Sequence, residues 1–243
     1  IGMAGGRGGI RDNNEVEVLA QKVAQDPRLV LRGVSGFEGS VPGADRTAEG
    51  ILKVRTFCQK IVDAAKILRP YVPSEKIIIS GGGSAYFEIV AEEFHKFDSD
   101  AHILLRSGGY ITHDHGYYER IYPFIQEPLA RRFVPAIELW ARVLTQPEPG
   151  LAILNLGKRD VGNDLDEPFP IKRFTDKFVT MSGVIDHLND QHGYLIFGND
   201  QQIAVGDAVG LGISHPCTTF DKWRLIPLVN DDYEVVDCIH TFF

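Results

Sequence analysis

Residues 77–88, IIISGGGSAYFE, decide the fold class of this chain. Three consecutive isoleucines predict a strand that is buried on both faces, and the glycines after them predict a tight loop. The next residues open the segment 85–97, AYFEIVAEEFHKF, which predicts a helix. A buried strand, a short loop and a helix form the repeating unit of a parallel sheet that is covered by helices.

The neighbouring segments continue this pattern on both sides. Residues 15–24 have apolar positions at helical spacing, and the apolar run 28–34 predicts a strand. A long amphipathic helix follows, with Thr47 as a candidate N-terminal cap and Pro70 as its stop. The run AHILLR at 101–106 predicts another buried strand. The first half of the chain therefore predicts a parallel α/β unit.

The pattern changes after Tyr122. Residues 136–144 alternate between apolar and polar, PEPG at 147–150 predicts a turn, and later short apolar segments lie between clusters of Gly, Asn and Asp. Such alternation is typical of antiparallel strands. We therefore expect two domains, an α/β domain over residues 1–122 and an antiparallel β domain over residues 123–243.

The composition favours a small-molecule ligand. The 243 residues carry a formal net charge of −8, and the scattered Lys and Arg argue against nucleic acid or an anionic membrane as a partner. No apolar run reaches the roughly 18 residues of a membrane helix. Three cysteines are too few for a disulfide framework, so we expect a cytoplasmic protein with reduced thiols. Because the chain opens without an initiator methionine, we expect it to be the downstream part of a longer protein.

Two glycine-rich loops are candidate anion sites. Each follows a buried strand, and backbone amides without side chains in the way bind phosphate at the start of a helix. Adjacent parallel strands end on one rim, so both loops can hold one phosphate; two unrelated tight turns are the alternative. Arg7 adds a cation to this rim and Phe37 an aromatic face, although an isolated Phe there is more often a core residue. The loop candidates are Gly82, Gly83, Ser84, Arg106, Gly108, Gly109 and Tyr110.

The segment SHPC, residues 214–217, contains a candidate metal site. In an extended segment His215 and Cys217 point to the same face, and these ligand types favour zinc over magnesium or calcium. Two ligands leave positions for water or substrate, as in catalytic zinc sites; a core cysteine beside a hydrogen-bonded histidine is the alternative. A rival pair, His113 and His115, lies in a loop that we expect to be a solvated rim. His192 is a candidate general acid or base by residue type alone.

In this order the motifs resemble the D-serine dehydratase and D-threonine aldolase group of fold-type III pyridoxal-phosphate enzymes, which are relatives of alanine racemase. The resemblance spans nearly the whole chain and depends on the joint order of its motifs. These are GMAGGRGGI (2–10), GVSGFEG (33–39), SGGGSA (80–85), RSGGY (106–110), GKRDVGND (157–164), LNDQHG (188–193) and VGDAVGLGISHPC (205–217). The implied fold is the C-terminal half of a cofactor-binding (β/α)8 barrel, a TIM-like barrel, followed by the antiparallel β domain.

The resemblance also implies roles for the candidate residues. Arg7 would bond the ring oxygen of pyridoxal phosphate, Phe37 would pack on its ring, and Arg106 would lie near the ring nitrogen. The two glycine-rich loops would hold the phosphate, and His215 and Cys217 would bind zinc. The chain departs from the family at Phe37, where relatives usually have Tyr or His. The family's Schiff-base lysine lies on the first barrel strand, which would be upstream of Ile1; none of Lys53, Lys60, Lys66 and Lys76 fits that position.

The implied activity is a pyridoxal-phosphate-dependent lyase of the D-serine deaminase type. Zinc would assist the loss of the β-hydroxyl of a D-amino acid, and the products would be a keto acid and ammonia. The alternatives are a D-threonine aldolase-like retro-aldol cleavage and a non-catalytic protein that binds the cofactor. Resembling aldolases carry a His-x-Asp pair, so Cys217 favours the dehydratase. Relatives form homodimers, which we expect here too, and the substrate side chain stays open.

Overall fold

A computed structural model describes residues 1–97 and 100–242 of the chain. The chain forms two compact units, Ile1–Gly108 and Gly109–Phe243, and each is described here by itself. The division falls earlier than the boundary after Tyr122 that the sequence predicts. The reason is that the segment after Gly109 bonds to the second unit: the His115 amide donates to the Ile213 carbonyl at 3.0 Å.

The first unit is a parallel sheet with helices. In the described residues its strands are paired in the order β1-β2-β3, all parallel. The strands are β1 (Gly33–Ser35), β2 (Ile77–Gly81) and β3 (Ala101–Leu105), and the helices are α1 (Asn13–Gln25), α2 (Ala48–Leu68) and α3 (Phe87–Phe94). Short 3₁₀ turns occur at Glu38–Ser40 and Arg69–Tyr71. The predicted parallel α/β unit is thus confirmed.

Local sequence accounts for these helices and for their packing. The Asp12 side chain caps α1 and forms a capping box with Glu15, and the Thr47 hydroxyl accepts the Gly50 amide at the start of α2. Helix α2 buries one apolar face, and it packs with β2 and α3 around the core of this unit. Members of that core are Val54, Cys58, Ile61, Val62, Ala65, Ile77, Ile79, Ile89, Val90 and Phe94.

The first strand is shorter than the run 28–34 predicts. Only Gly33–Ser35 pairs with β2, while Leu29 and Val30 are exposed. An apolar run alone does not distinguish a buried strand from an extended segment that approaches a strand.

The second unit is an antiparallel β domain, as the sequence predicts. Within the described chain a seven-stranded sheet has the order β7-β6-β10-β4-β5-β9-β8, and β11 and β12 form a separate hairpin. The strands are β4 (Glu138–Glu148), β5 (Leu151–Leu154), β6 (Phe169–Phe174), β7 (Phe178–Thr180), β8 (Val184–Leu188), β9 (Gly193–Ile196), β10 (Ala208–Gly212), β11 (Leu225–Val229) and β12 (Val235–His240). Short helices are α4 (Gly109–Thr112), α5 (Tyr117–Ile121) and α6 (Cys217–Phe220), with a 3₁₀ turn at Leu129–Arg131.

The core of the second unit lies on one face of this sheet. Alternate residues of the strands supply it, because side chains two apart along a strand share a face. Its fully buried members include Ala152, Leu154, Leu195, Val209, Leu211 and Ile213. Strand β10 pairs with both β4 and β6, so the chain leaves the centre of the sheet at Gly212 and continues directly into the segment that holds His215.

Among the helices of the described residues, none is both long enough and apolar enough to cross a membrane.

Candidate functional site

The first cluster of candidate residues lies at the carboxyl edge of the parallel sheet. Ser35 of β1 is in register with Ser80 of β2, and Gly81 of β2 with Leu105 of β3, so the strands end at the same edge. Ligands of parallel α/β sheets bind beyond this edge. The residues that follow the strands here are Gly36, Phe37, Glu38, Gly82, Gly83, Arg106 and Ser107.

Arg7 and Phe37 come together at this edge. The guanidinium carbon of Arg7 lies 5.1 Å from the centre of the Phe37 ring, which is cation–π distance. The same ring packs closely against the glycine loop, since a Cβ atom on Gly83 would lie 2.8 Å from Phe37 Cε2. A glycine is therefore required at position 83 by the ring beside it. The sequence predicted that these residues share a rim, and the structure places them in contact.

Glu38 is a site residue that the sequence did not reveal. Its side chain is 1% exposed, and its two carboxylate oxygens accept the amides of Gly82 at 3.0 Å and Gly83 at 2.5 Å. Gly82 has a φ of +105°, a conformation open to glycine, at the turn that presents these two amides. Burial raises the pKa of the Glu38 carboxyl, and the amide bonds and Arg106 partly oppose that shift. The amides expected to bind phosphate thus bind a carboxylate of the protein itself.

Arg106 joins the ends of the strands. Its Nε donates to Ser80 Oγ at 2.7 Å and its Nη2 donates to the Gly36 carbonyl at 2.8 Å. The neighbouring Ser107 hydroxyl donates to the Gly83 carbonyl at 3.2 Å. These bonds fix the three loops of the edge relative to one another.

The remaining phosphate candidates divide between the two units. Ser84 is half-buried in the first loop. Within the described part of the chain, a Cβ atom on Gly108 would meet no atom within 4 Å. Gly109 and Tyr110 open the second unit as the start of α4. The Tyr110 side chain lies outside the described part of the structure, and the phosphate role of these residues stays a prediction.

His215 and Cys217 form the second cluster, although their segment is not extended as the sequence predicted. His215 has a φ of +57°, in the left-handed region, and Cys217 begins the short helix α6. The turn nevertheless brings the two side chains together. The pKa of His215 is raised to about 9. A hydrogen bond to Cys217 is the largest cause, a hydrogen bond to Asp164 adds to it, and burial acts in the opposite direction.

Two aspartates hold His215 from opposite ends. The Asp164 carboxylate lies 2.7 Å from the ring Nδ1, and the Asp114 carboxylate accepts the His215 backbone amide at 2.7 Å. Asp114 is fully buried, and its other oxygen accepts the amides of Gly116 and Tyr118, each at 2.9 Å. The second cluster is therefore His215 and Cys217 with two supporting carboxylates.

The rival histidine pair is not a solvated rim, so that prediction was wrong. His113 is 1% exposed, and its Nε2 lies 2.9 Å from Glu119 Oε2. Burial lowers the pKa of His115, whose buried Nδ1 has no hydrogen-bond partner in the described part of the chain. The loop is buried because Asp114 ties it to the His215 segment.

His215 and Cys217 are two candidate metal ligands, fewer than a closed metal site needs. Within residues 1–97 and 100–242, no group of three or more His, Cys, Asp and Glu side chains is placed to hold a metal ion. A closed structural zinc site needs four protein ligands. Metal binding by His215 and Cys217 stays a prediction, in which two protein ligands would leave positions for water or substrate.

His192 lies in the turn between β8 and β9. Its side chain is exposed, and its backbone carbonyl accepts the Asn189 amide at 2.8 Å. The described contacts give this histidine a place in the hairpin turn, and its role as an acid or base stays a prediction.

Comparison with known proteins shows which proteins this chain resembles. Residues 136–229 match the family model of a putative serine dehydratase domain, a stretch that contains Asp164, His215 and Cys217. The resemblance to the D-serine dehydratase and D-threonine aldolase group of pyridoxal-phosphate enzymes is confirmed by this match and by the relatives described next.

Particular relatives are an aldolase and a dehydratase. A 3-hydroxy-D-aspartate aldolase of Paracoccus denitrificans is 23% identical over 227 residues, which cover 92% of this chain and 54% of that protein. The D-threonine aldolase of Filomicrobium marinum has a similar fold, with a TM-score of 0.71, 19% identity, and coverage of 98% of this chain and 59% of that one. For the D-threo-3-hydroxyaspartate dehydratase of Delftia sp. HT23 the TM-score is 0.66 with 20% identity, covering 98% and 64%.

Variants of a D-threo-3-hydroxyaspartate dehydratase also match in fold. One carries a cysteine replaced by alanine and is in a metal-free form, and another carries a histidine replaced by alanine. The chain spans about half the length of the curated aldolase that it matches.

Proposed function

We propose that this chain is part of a pyridoxal-phosphate-dependent lyase that removes the β-hydroxyl of a D-amino acid and releases a keto acid and ammonia. The observation that carries the proposal is the His-x-Cys pair of His215 and Cys217, with Asp164 on the imidazole, in the stretch that matches a serine dehydratase domain. In this proposal the parallel sheet of the first unit is part of a (β/α)8 barrel.

The carboxyl edge of the parallel sheet has an aromatic ring and two cations that would suit pyridoxal phosphate. Phe37 offers an aromatic ring, and Arg7 and Arg106 offer cations that suit the ring oxygen and the region of the ring nitrogen. The bound cofactor supplies an electron sink for the bond that breaks at the substrate α-carbon. The protein residues bind and orient it, and Glu38 and Ser107 hold the loop against which Phe37 packs.

Fewer residues are available to bind the phosphate than the sequence predicts. Gly82 and Gly83 donate their amides to Glu38, and a phosphate there would have to replace a buried carboxylate. We therefore assign the phosphate in the first unit to the backbone at Gly108 rather than to the amides of Gly82 and Gly83.

The donors of the second cluster fit zinc. A thiol and an imidazole two residues apart are borderline-soft ligands, which zinc accepts more readily than magnesium or calcium does. The replaced cysteine of the metal-free dehydratase variant is consistent with such a ligand in a relative. Bound zinc supplies a Lewis acid that stabilises hydroxide as it leaves the β-carbon.

Retro-aldol cleavage is the second candidate function. It is favoured by the names of two relatives, a 3-hydroxy-D-aspartate aldolase and a D-threonine aldolase. The same names add 3-hydroxy-D-aspartate to D-serine and D-threonine as candidate substrates. Against the aldolase stands Cys217, a softer ligand than the aspartate of resembling aldolases.

Product analysis tests the proposal. The full-length protein is loaded with pyridoxal phosphate and zinc and incubated with D-serine, D-threonine and D-threo-3-hydroxyaspartate, with the L-isomers as controls. Dehydration gives ammonia with pyruvate, 2-oxobutyrate or oxaloacetate. Glycine with an aldehyde and no ammonia would reject the dehydratase in favour of the aldolase.

A non-catalytic role makes a different prediction. If the protein uses the cofactor covalently, borohydride reduction fixes the cofactor to one lysine, which peptide mapping locates. Lys60 is not suited to be that lysine, because its ammonium group donates hydrogen bonds to the Gly2 and Arg11 carbonyls. A protein that binds the cofactor reversibly and resists borohydride would support the non-catalytic alternative. We further propose that the protein is cytoplasmic and forms a homodimer. Light scattering after size exclusion would test the dimer.

A further inference from the structure

The His215 ring is held by a carboxylate outside its own segment. Asp164 lies 51 residues before His215, in the connection between β5 and β6, and its Oδ2 is 2.7 Å from the ring Nδ1. An ionised carboxylate can only accept hydrogen bonds, so Nδ1 must carry the proton. In the neutral ring, which is the form that binds a metal, the nitrogen with a free lone pair is then Nε2.

We propose that Asp164 is a positioning residue that makes Nε2 of His215 the metal-binding nitrogen; this inference rests on the proposed zinc site. Histidines that bind metals commonly donate their second ring N–H to a carboxylate, which fixes the ring and raises its basicity. The Asp164 side chain is 46% exposed, so it acts on the ring without being part of the protein core.

The backbone contacts of His215 do not by themselves fix the orientation of its ring. The residue lies in the left-handed region, and its amide is tied to Asp114, which fixes where the side chain begins. The ring itself can still rotate about its side-chain bonds. The bond to Asp164 removes that freedom and leaves the ring beside Cys217.

Substitution of Asp164 tests the assignment without relying on turnover. Removal of such a supporting carboxylate typically weakens metal affinity by about 10- to 100-fold. We expect Asp164→Ala to raise the zinc Kd of the full-length protein by that factor, measured by competition with a chromophoric chelator. Asp164→Asn keeps an acceptor oxygen but loses the charge, so its Kd should lie between those of the parent and Asp164→Ala. In cobalt-substituted Asp164→Ala, the visible absorption bands should shift in position relative to the parent protein. Their intensity should stay the same, because the coordination number of the metal is unchanged.

The chain contains a matched control. Asp186 pairs with Nδ1 of His187 at 2.8 Å on the exposed β8 strand, which is the same type of contact on another histidine. Asp186→Ala should therefore leave the zinc Kd unchanged. Circular dichroism and thermal unfolding of each variant establish that it is folded.

The outcomes separate this inference from the function that it rests on. If the parent protein binds no zinc, the zinc site of the proposed function fails and the positioning role fails with it. If the parent binds zinc and Asp164→Ala has the same Kd, only the positioning role is overturned. A loss as large as that of His215→Ala would also overturn it, because Asp164 would then be a metal ligand itself.

Discussion

The Glu38 carboxylate accepts the backbone amide of Gly83 at 2.5 Å, and the two residues lie 45 positions apart in the chain. The bond joins the end of β1 to the loop after β2. A buried anion of the protein therefore occupies part of a loop whose sequence predicts phosphate binding. Two consequences for the stability of the first unit can be measured.

Removal of the Glu38 carboxylate should destabilise the protein. In Glu38→Ala the buried amide of Gly82 and the partly buried amide of Gly83 lose their acceptor, and each unsatisfied buried donor costs about 1–3 kcal/mol. We expect the free energy of unfolding to fall by about 2 kcal/mol or more in urea titrations. The control is Glu92→Ala, whose surface pair with Arg55 should contribute less than about 1 kcal/mol. Equal midpoints for the two variants would show that the Glu38 bonds are not maintained in solution.

Glu38 should also make stability depend on pH. Burial raises the pKa of its carboxyl above the ordinary value of 4.5, so the native state holds this proton more tightly than the unfolded chain does. The stabilising contribution is complete below pH 4.5 and is lost as the pH rises through the higher native pKa. We expect Glu38→Gln to remove this component from the unfolding free energy measured between pH 4 and 8. Parallel pH curves for the parent and the variant would contradict the assignment.

Local signals in the sequence account for most of the fold. Thr47 and Pro70 bracket α2, three isoleucines mark β2, and the alternation at 136–144 marks β4. These features depend on residues within a few positions of each other. Arg7 and Phe37, which the sequence places at neighbouring strand ends, lie at cation–π distance in the structure, and their role toward a cofactor stays a prediction.

Contacts between distant residues could not be predicted in the same way. Glu38, Asp114 and Asp164 act on residues 44, 101 and 51 positions away, and nothing in their immediate neighbours marks them. The contact of Asp114 with the His215 segment is also one reason why the boundary falls at Gly108 rather than at Tyr122. Hydrophobic periodicity reports burial along one element and carries no information about partners on another.

Thiol reactivity should distinguish the three cysteines. Cys58 is fully buried in α2, and burial raises the pKa of its thiol to about 12, so almost no thiolate is present at pH 8. Cys217 and Cys238 are exposed. We expect iodoacetamide to label Cys217 and Cys238 in the native zinc-free protein, and Cys58 only after denaturation, as measured by mass spectrometry. Rapid native labelling of Cys58 would show that α2 opens readily.

Cys217 should be essential for zinc and for turnover together. Cys217→Ala removes the thiol ligand, so zinc retention through gel filtration and ammonia release from D-serine should both be abolished. Cys238→Ala is the matched control, because Cys238 is an exposed cysteine on β12. Full activity of a zinc-free Cys217→Ala protein would refute the metal assignment.

Asp114 should support the strained backbone at His215. In Asp114→Ala the buried amides of Gly116 and Tyr118 and the partly buried amide of His215 lose their acceptor, so we expect the free energy of unfolding to fall by about 3 kcal/mol or more. The left-handed conformation of His215 should also relax, which would weaken zinc binding even in the folded fraction. The control is Asp190→Ala, since the exposed pair of Asp190 with Arg159 should contribute less than about 1 kcal/mol. Urea titration and chelator competition measure the two effects, and an Asp114→Ala protein that matches the control in both would show that the carboxylate does not hold the His215 segment.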